Sequence, residues 1–454
     1  MNRQASAEMS QKLFRAKLLT PEGTGRPAPG SGFWRLYDDG ALVIDTNGRI
    51  VSVGDYADLA REHSEAEKID LSDKFIVPGF IDAHVHLPQY PAIGLYGREL
   101  LDWLNAYIFP AEKEFTPKVA DSLSPIFFDR LLAYGVTTAA IYTSVRADST
   151  WKVFEWAERK GIRAIIGKVM MDRNVPDYLR EDTRTSIAES DQLCKAWHGQ
   201  DDDRLLYAFT PRFAPSCSQE LLDKVGALAR ERGAYVQTHL SENSGEIKWV
   251  KQLFPESRNY TDVYARAGLL GPKTLLAHAI HIDQDEQRAL LAAEACLVHC
   301  PTSNLFLKSG LMHLAELLQM RHRVGLGSDV AGGPTLSPFS LMQAAIYVHN
   351  ARCLPLANSG FDVTPGLVLY LATLGGARAL GLGRTTGSLE PGKDADFVVL
   401  DLSSFDQSLA NRGEGEVDKL LSRLVFLSDD RNVEQTYVRG RLCYERQQRN
   451  SAKR

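Results

Sequence analysis

The hydrophobic and polar positions of this chain form strand-like apolar runs that alternate with amphipathic helical segments. Eight such runs are present, and most of them are rich in leucine or β-branched residues and end in polar residues, as strands buried on both faces do. Helical segments such as Leu221–Arg232 and Glu286–Ala293 lie between them. This alternation predicts an α/β fold of the (β/α)8 TIM-barrel type, whose chemistry takes place at the carboxyl ends of the strands. The eight runs are Phe75–His86, Val136–Thr143, Ala164–Met171, Leu205–Phe213, Ala234–Glu242, Thr274–Ile282, Cys296–Asn304 and Val324–Val330.

The two ends of the chain differ from the middle, because they contain short strand-like pieces joined by tight turns. Ala41–Ile44 and Arg49–Val53 are separated by an Asn-Gly turn, which strongly indicates a hairpin. Asp396–Leu400 predicts another strand and Thr436–Tyr444 another hairpin. Since each flank is too small to bury a core alone, we expect the two to pair into one small β-sandwich. The expected domains are residues 1–74 and 386–454 for the sandwich and 75–385 for the barrel.

Composition and charge restrict the classes of partner. The chain has 454 residues, of which 44% are hydrophobic, enough to bury a large core. Its net charge is −5 and no basic stripe is present, so a nucleic acid polymer is not an expected partner. The six cysteines form no CxxC pair, which is typical of reduced thiols. Met1–Lys17 lacks the apolar centre of a secretion signal, and no run is long enough to span a membrane. We therefore expect a cytoplasmic protein with no membrane partner.

Potential metal ligands lie at the predicted carboxyl ends of the strands. Strand one ends in His84-Val85-His86, and side-chain alternation places both imidazoles on one side of the strand. Strand five supplies His239, and strand eight carries Asp329 near its end. Three histidines and one carboxylate suit either Zn²⁺ or Fe²⁺, with a position left for water. The sequence therefore predicts a catalytic metal site at the mouth of the barrel.

Each of these residues also has an ordinary structural interpretation. A single His-X-His pair can be purely structural, His278 on strand six could be a core histidine, and Asp329 could cap a turn. The metal interpretation rests on their coincidence at the strand ends of one barrel. His281 and His299 are left open between a core role and support of the site. No chemistry is assigned to the histidines in helical or loop segments, namely His63, His198, His313, His322 and His349.

Two stretches of the chain resemble the amidohydrolase superfamily. Val77–His86 is similar to the opening strand of its barrels, and Gly387–Asp396 to its return into the β-sandwich. Members with two metals carry a bridging lysine at the end of strand four. Here that strand ends in Thr210–Phe213, which contains no lysine, so the resemblance implies one metal per chain. Glu242, three residues after His239, resembles the deaminase branch.

Further segments resemble the guanine deaminase family within this superfamily. The resemblance covers nearly the whole chain and implies hydrolysis of guanine to xanthine and ammonia. It also implies a homodimer with one zinc ion per chain, held by His84, His86, His239 and Asp329, although the ligand set does not distinguish Zn²⁺ from Fe²⁺. The segments are His86–Tyr90, Leu101–Leu104, Thr210–Phe213, His239–Asn243, Cys300–Leu305, Asp329–Gly333 and Ala372–Ala377.

The resemblance and the chemistry of deamination together assign catalytic roles. A metal-bound hydroxide attacks C2 of guanine, and Asp329 accepts the proton of the water from which it forms. Glu242 protonates N3 and then passes a proton to the departing ammonia, which requires a raised pKa. His278 orients the attacking oxygen and stabilises the tetrahedral intermediate.

Substrate recognition is expected from three other side chains. Arg212 carries a rigid fork of donors suited to O6 and N7 of guanine, and Gln89 suits the O6 and N1 edge. Phe213 stacks on the ring or supplies a backbone group. The alternatives are a salt bridge over the barrel mouth for Arg212 and a surface amide for Gln89. Aromatic-rich Trp103–Pro110 is expected to cover the pocket, with a plain core helix as the alternative.

Three other functions remain open at this point. The first is a deaminase with the same metal centre that acts on 8-oxoguanine, a triazine or another purine. A ring without a carbonyl acceptor would leave Arg212 unpaired, at a cost of about 1–3 kcal/mol. The second is a non-catalytic scaffold, which would be expected to have lost metal ligands. The third is a two-metal cyclic amidase, against which the missing lysine counts.

Overall fold

The computed structural model describes residues 11–22, 33–97, 99–354, 361–405 and 416–447. Within these ranges the strands form two sheets: a parallel barrel and a separate sheet built from both flanks. The outer ends of the predicted flanks, residues 1–10 and 448–454, lie outside the described residues. Among the described helices, none combines the length and the apolar character that a membrane crossing requires.

The N- and C-terminal flanks pair with each other, as the sequence predicts. The connection between them is antiparallel, with Val398 of one flank opposite Val77 of the other. The described flank strands are β1 (Lys12–Pro21), β2 (Trp34–Ile44), β3 (Ile50–Asp55), β4 (Glu67–Pro78), β14 (Phe397–Leu400), β15 (Val433–Val438) and β16 (Arg441–Glu445). They form one continuous hydrogen-bonded sheet of seven strands, in the order β16-β15-β14-β4-β1-β2-β3.

The two predicted hairpins are present, and their turns touch. Gly48, in the turn between β2 and β3, has φ of +77°, a conformation that glycine adopts without strain. A Cβ at this position would lie 1.9 Å from the carbonyl oxygen of Arg439, in the turn between β15 and β16. This close approach joins one flank to the other.

The barrel contains all eight predicted strands in shorter form. Adjacent strands are parallel. Backbone hydrogen bonds from Asp329 N to His84 O (2.8 Å) and from His86 N to Val330 O (3.2 Å) close the barrel. The strands are β5 (Phe80–His86), β6 (Val136–Tyr142), β7 (Arg163–Gly167), β9 (Leu205–Pro211), β10 (Tyr235–Leu240), β11 (Thr274–His278), β12 (Cys296–His299) and β13 (Arg323–Leu326), with the short β8 (Val169–Met170) paired to β9.

Several predicted strands end earlier in the structure, and two of the differences have a clear physical reason. The run Phe75–His86 is not one strand, because the chain leaves the flank sheet after Pro78 and enters the barrel at Phe80. The residues on both sides of this crossing are apolar, which hides it in the sequence. The run Cys296–Asn304 is a strand only as far as His299, since Pro301 begins a helix, where its missing N–H is tolerated.

Helices cover the outside of the barrel. The predicted segments Leu221–Arg232 and Glu286–Ala293 correspond to the helices α8 (Gln219–Arg232) and α11 (Gln284–Ala292). Ser218 caps the start of α8, since its hydroxyl accepts a hydrogen bond from Leu221 N. The helices are α1 (Tyr56–Glu62), α2 (Leu100–Trp103), α3 (Phe109–Glu114), α4 (Pro117–Ala133), α5 (Ala147–Lys160), α6 (Thr183–Trp197), α7 (Gln200–Asp203), α8 (Gln219–Arg232), α9 (Ser244–Leu253), α10 (Tyr260–Arg266), α11 (Gln284–Ala292), α12 (Pro301–Phe306), α13 (Leu314–Gln319), α14 (Pro338–Cys353), α15 (Pro365–Leu371), α16 (Leu374–Ala379) and α17 (Glu416–Leu427).

Candidate active site

The barrel brings five predicted site residues together at the carboxyl ends of its strands. His84 and His86 end β5, His239 lies in β10, His278 ends β11, and Asp329 follows β13. His278 and Asp329 have left-handed backbone conformations, with φ of +74° and +48°. Such conformations cost free energy in residues other than glycine and are concentrated at functional sites.

The ligand atoms of these side chains converge on one point. His86 Nε2 lies 3.1 Å from His84 Nε2 and 3.2 Å from His239 Nε2. Asp329 Oδ1 lies 3.1 Å from His84 Nε2 and 3.4 Å from His86 Nε2. Ligand atoms of His84, His239, His278 and Asp329 all lie within 4.8 Å of one another. The geometry therefore places His278 in the same cluster, within 4.8 Å of three of the four residues that the sequence analysis proposes as ligands.

The hydrogen bonds of two histidines show that the cluster fits a cation. His239 Nδ1 lies 2.6 Å from the carbonyl oxygen of Arg212, which can only accept, and His278 Nδ1 lies 2.9 Å from Asn304 Oδ1. Burial lowers the pKa of His239 well below its usual value, so its ring is neutral and its Nε2 presents a lone pair. His278 Nε2 is buried without a hydrogen-bond partner in the described part of the chain. Converging lone pairs beside a carboxylate suit a metal such as Zn²⁺.

Neighbouring residues hold the carboxylate and one histidine in place. Ser303 Oγ donates a hydrogen bond to Asp329 Oδ2 at 2.6 Å. Burial opposes ionisation of Asp329, but its hydrogen bonds with His84 and His86 hold its pKa well below the usual range. Asp82 accepts hydrogen bonds from the backbone N–H of His84 at 3.2 Å and of Ser328 at 2.9 Å. These contacts connect the first and last strands beside the ligands.

Glu242 is buried beside the cluster. Its Oε1 accepts a hydrogen bond from Ser309 Oγ at 2.8 Å, and its Oε2 lies 3.4 Å from His278 Nε2. Burial, with the nearby charge of Asp329, raises the pKa of Glu242 to about 8. A carboxyl group with this pKa carries a proton at neutral pH and can donate it. Glu246 accepts the backbone N–H of Glu242 at 3.0 Å and so holds that segment of chain.

A cavity opens beside these residues, as expected of a small-molecule site. Gln89, Arg212 and Phe213 line it together with Glu242 and four members of the His/Asp cluster, namely His86, His239, His278 and Asp329. The aromatic segment Trp103–Pro110 starts at the end of α2, and its Trp103 and Leu104 also line the cavity. This segment therefore covers part of the cavity, as expected.

Sequence reasoning missed a buried carboxylate behind the cavity wall. Glu112 Oε1 accepts hydrogen bonds from Arg212 Nη1 at 2.5 Å and from Gln89 Nε2 at 3.1 Å. The salt bridge considered for Arg212 therefore exists, inside the wall of the cavity. Gln89 is only 2% exposed, so the surface interpretation of this residue is wrong. No local pattern points to Glu112, because its partner Arg212 lies 100 residues away in sequence.

The two histidines left open by the sequence have different surroundings. The ring of His281 bonds through Nε2 to the carbonyl oxygen of Ser309 at 2.8 Å, so it supports the residue that holds Glu242. His299 is completely buried in the barrel, and both its ring nitrogens lack partners among the described residues. Only His281 is thereby connected to the candidate site.

Comparison with known proteins adds a family to this geometry. The sequence profile of the Amidohydrolase family matches residues 75–443. The chain belongs to the amidohydrolase family. Within the amidohydrolases, a guanine deaminase of Escherichia coli (strain K12) is 39% identical, covering 97% of this chain and 99% of its own. The guanine deaminase resemblance predicted from the sequence is therefore confirmed.

Two solved amidohydrolase structures are similar over nearly the whole chain. Guanine deaminase from C. acetobutylicum, with bound guanine in the active site, has a TM-score of 0.88 and 32% identity, covering 96% of this chain and 100% of its own. An adenosine deaminase from Xanthomonas campestris with bound zinc has a TM-score of 0.81 and 26% identity, and the match covers 95% of this chain and 92% of that protein. These similarities confirm the barrel prediction.

The bridging lysine that the superfamily resemblance associates with two metals is not among the described residues that line this cavity. The described residues lining it include Arg212 after the fourth barrel strand but no lysine. Lys168, which is completely buried after β7, instead pairs with Glu181. The structure therefore offers no support for the cyclic amidase alternative.

Proposed function

We propose that this chain hydrolyses guanine to xanthine and ammonia with one zinc ion, held by His84, His86, His239 and Asp329. The observation that carries the proposal is the composition of one cavity wall. Converging metal ligands and the proton-carrying Glu242 lie beside the donors of Arg212 in one cavity. The 39% identical relative named guanine deaminase supports the same substrate.

The chemistry divides between the metal and three side chains. A zinc ion held by these ligands would supply hydroxide at neutral pH by lowering the pKa of water from 15.7 to about 7, and Asp329 would accept the proton released from that water. Glu242 donates its proton to N3 as C2 is attacked. The ionised Glu242 then takes the remaining hydroxyl proton from C2 and transfers it to the amino group, which leaves as ammonia while the C2 carbonyl forms. The proton held by Asp329 finally returns to Glu242. Water and guanine thus give xanthine and ammonia, with every proton accounted for.

His278 is proposed to orient the attacking oxygen. Its Nδ1 faces the acceptor Asn304 Oδ1, so in the neutral imidazole Nδ1 carries the proton and Nε2 can accept a hydrogen bond from that oxygen. Because Nε2 lies 3.4 Å from Glu242 Oε2, both groups can reach the same reacting centre. This arrangement supports a positioning role for His278 next to the proton donor.

Recognition of the ring is proposed for Arg212, Gln89 and Phe213. Arg212 uses Nη1 for Glu112, and other guanidinium N–H groups are left for O6 and N7. Gln89 directs its amide towards the O6 and N1 edge, and Phe213 packs against the ring or offers a backbone group. All three residues line the cavity.

The proposal is tested by ammonia release from guanine, adenine, cytosine, 8-oxoguanine, guanosine and the triazine ammeline. Zinc-loaded protein is compared with chelated protein, and metal is counted per chain. We expect fast turnover of guanine that the chelator abolishes, with one zinc per chain. Turnover of a different ring alone would overturn the substrate assignment. Two metals per chain, or no ammonia from any compound, would overturn the mononuclear deaminase.

We further propose a cytoplasmic homodimer with the domain limits 1–74, 75–385 and 386–454. All six cysteines have free thiols in the structure, which supports a reducing compartment. The resemblance to guanine deaminases is the reason to expect a dimer. Light scattering on the purified protein checks it, and a single monomer mass would contradict it.

A further inference from the structure

One buried carboxylate contacts both of the side chains proposed to recognise the substrate. Glu112 lies in α3 behind the cavity wall and is only 2% exposed. It is not among the residues that line the cavity. Its Oε1 accepts hydrogen bonds from Arg212 Nη1 at 2.5 Å and from Gln89 Nε2 at 3.1 Å. Glu112 therefore acts on a ligand only through Arg212 and Gln89.

These contacts set the orientation of the Gln89 side-chain amide. An ionised carboxylate only accepts hydrogen bonds, so the amide nitrogen of Gln89 must face Glu112. At the other end of the amide, the backbone N–H of Ala331 donates to Gln89 Oε1 at 3.3 Å. The amide is thus held at both ends, and a flipped amide would place an oxygen against the carboxylate.

The same carboxylate orients the guanidinium of Arg212. The guanidinium carbon also lies 5.7 Å from the ring centre of Phe109, three residues before Glu112 in α3. With Nη1 used by Glu112, further donors of the planar guanidinium are available to a ligand in the cavity that Arg212 lines. Since Glu112 also balances the positive charge, this end of the cavity offers donors without a net charge. Such a surface suits a neutral carbonyl oxygen.

We propose that Glu112 is a positioning residue that makes the cavity selective for purines with an oxygen at C6. This inference rests on the proposed deamination of guanine. The carboxylate orients Arg212 and Gln89 as donors, and the C6 oxygen is their acceptor. A purine that carries the reacting C2 amino group but has no oxygen at C6 gains nothing from this arrangement.

The test compares guanine with 2-aminopurine, which has the same C2 amino group and no C6 oxygen. In Glu112→Gln we expect the KM for guanine to rise at least about tenfold while kcat stays within about threefold, because binding rather than chemistry is weakened. The kcat/KM for 2-aminopurine should change less than about threefold, so the preference for guanine collapses. Glu114→Gln, an exposed residue of the same helix, is the matched control and should behave like the wild type.

Several outcomes would overturn the inference. Equal losses on both purines would show a merely structural role for Glu112, and an unchanged preference for guanine would show no role. If Glu112→Gln does not fold or retain zinc, Arg212→Met is compared with Arg212→Met/Glu112→Gln, which leaves neither buried charge unpaired. In the Arg212→Met background, we expect Glu112→Gln to lower kcat/KM for guanine by at most about threefold, because only the effect transmitted through Gln89 remains. A loss above about tenfold would overturn the inference. A wild type inactive on guanine would instead contradict the proposed function.

Discussion

The carboxyl group of Glu242 is held by a single hydroxyl group on one side. Ser309 Oγ donates to Oε1 at 2.8 Å, which leaves Oε2 facing His278. Ser309→Ala should lower kcat for guanine about 10- to 100-fold, because the carboxyl group loses its fixed orientation. KM and zinc content should stay near wild type. Steady-state kinetics checks this, with the exposed Ser122→Ala as control, and an unchanged kcat would contradict it.

Proton transfer by Glu242 can be tested separately from the orientation of its carboxyl group. Glu242→Gln keeps a carbonyl oxygen that can accept from Ser309 but cannot transfer a proton to N3 or to ammonia. We expect about a 10²- to 10⁴-fold loss of kcat, the usual contribution of a positioned proton donor. Zinc content, measured by atomic absorption, should be unchanged. A variant that retains most of its rate would disprove the proton-transfer role.

Between the elements, packing is tight where the flank sheet continues into the barrel. Gly79 separates β4 from β5, and a Cβ there would lie 2.1 Å from the hydroxyl oxygen of the buried Thr137. Gly79→Ala should lower the free energy of unfolding by about 1–3 kcal/mol, since the chain must shift to make room. Urea denaturation measures this loss. Gly271→Ala, which meets no atom within 4 Å, should have little effect, and equal stability of both variants would contradict the packing argument.

At the scale of the whole molecule, a buried ion-pair cluster joins the barrel to the flank sheet. Arg163 of β7 is completely buried and donates to Asp394 at 2.5 Å and to Asp396 at 3.1 Å. Arg163→Met leaves two buried carboxylates with too few partners and should cost about 3–5 kcal/mol of unfolding free energy. Arg61→Met breaks an exposed pair with Asp58 and should cost at most about 1 kcal/mol. Similar unfolding free energies for the two variants, measured in urea, would show that the buried cluster does not stabilise the molecule.

The features of this protein that depend on local pattern are predictable from its residues alone. Alternation along a strand places His84 and His86 on one side, and the repeated strand and helix periods define a barrel whose strand ends carry His239 and Asp329. Family motifs then identified Glu242 and Arg212 as candidates for catalysis and recognition. These features need only the spacing of residue types along the chain, and the geometry brings all of these residues to one cavity.

Long-range packing sets which distant residues support the site and where one sheet ends. Glu112 meets Arg212 across 100 positions, and Ser309 meets Glu242 across 67. Neither Glu112 nor Ser309 lies in a distinctive local pattern. Their hydrogen bonds form only when the barrel closes and excludes water, so the sequence around each residue does not indicate the contact. The break at Gly79 was hidden for a related reason, since strands buried in two different sheets have the same apolar composition. Sequence pattern thus determines which face of an element is buried, and long-range packing determines what that face meets.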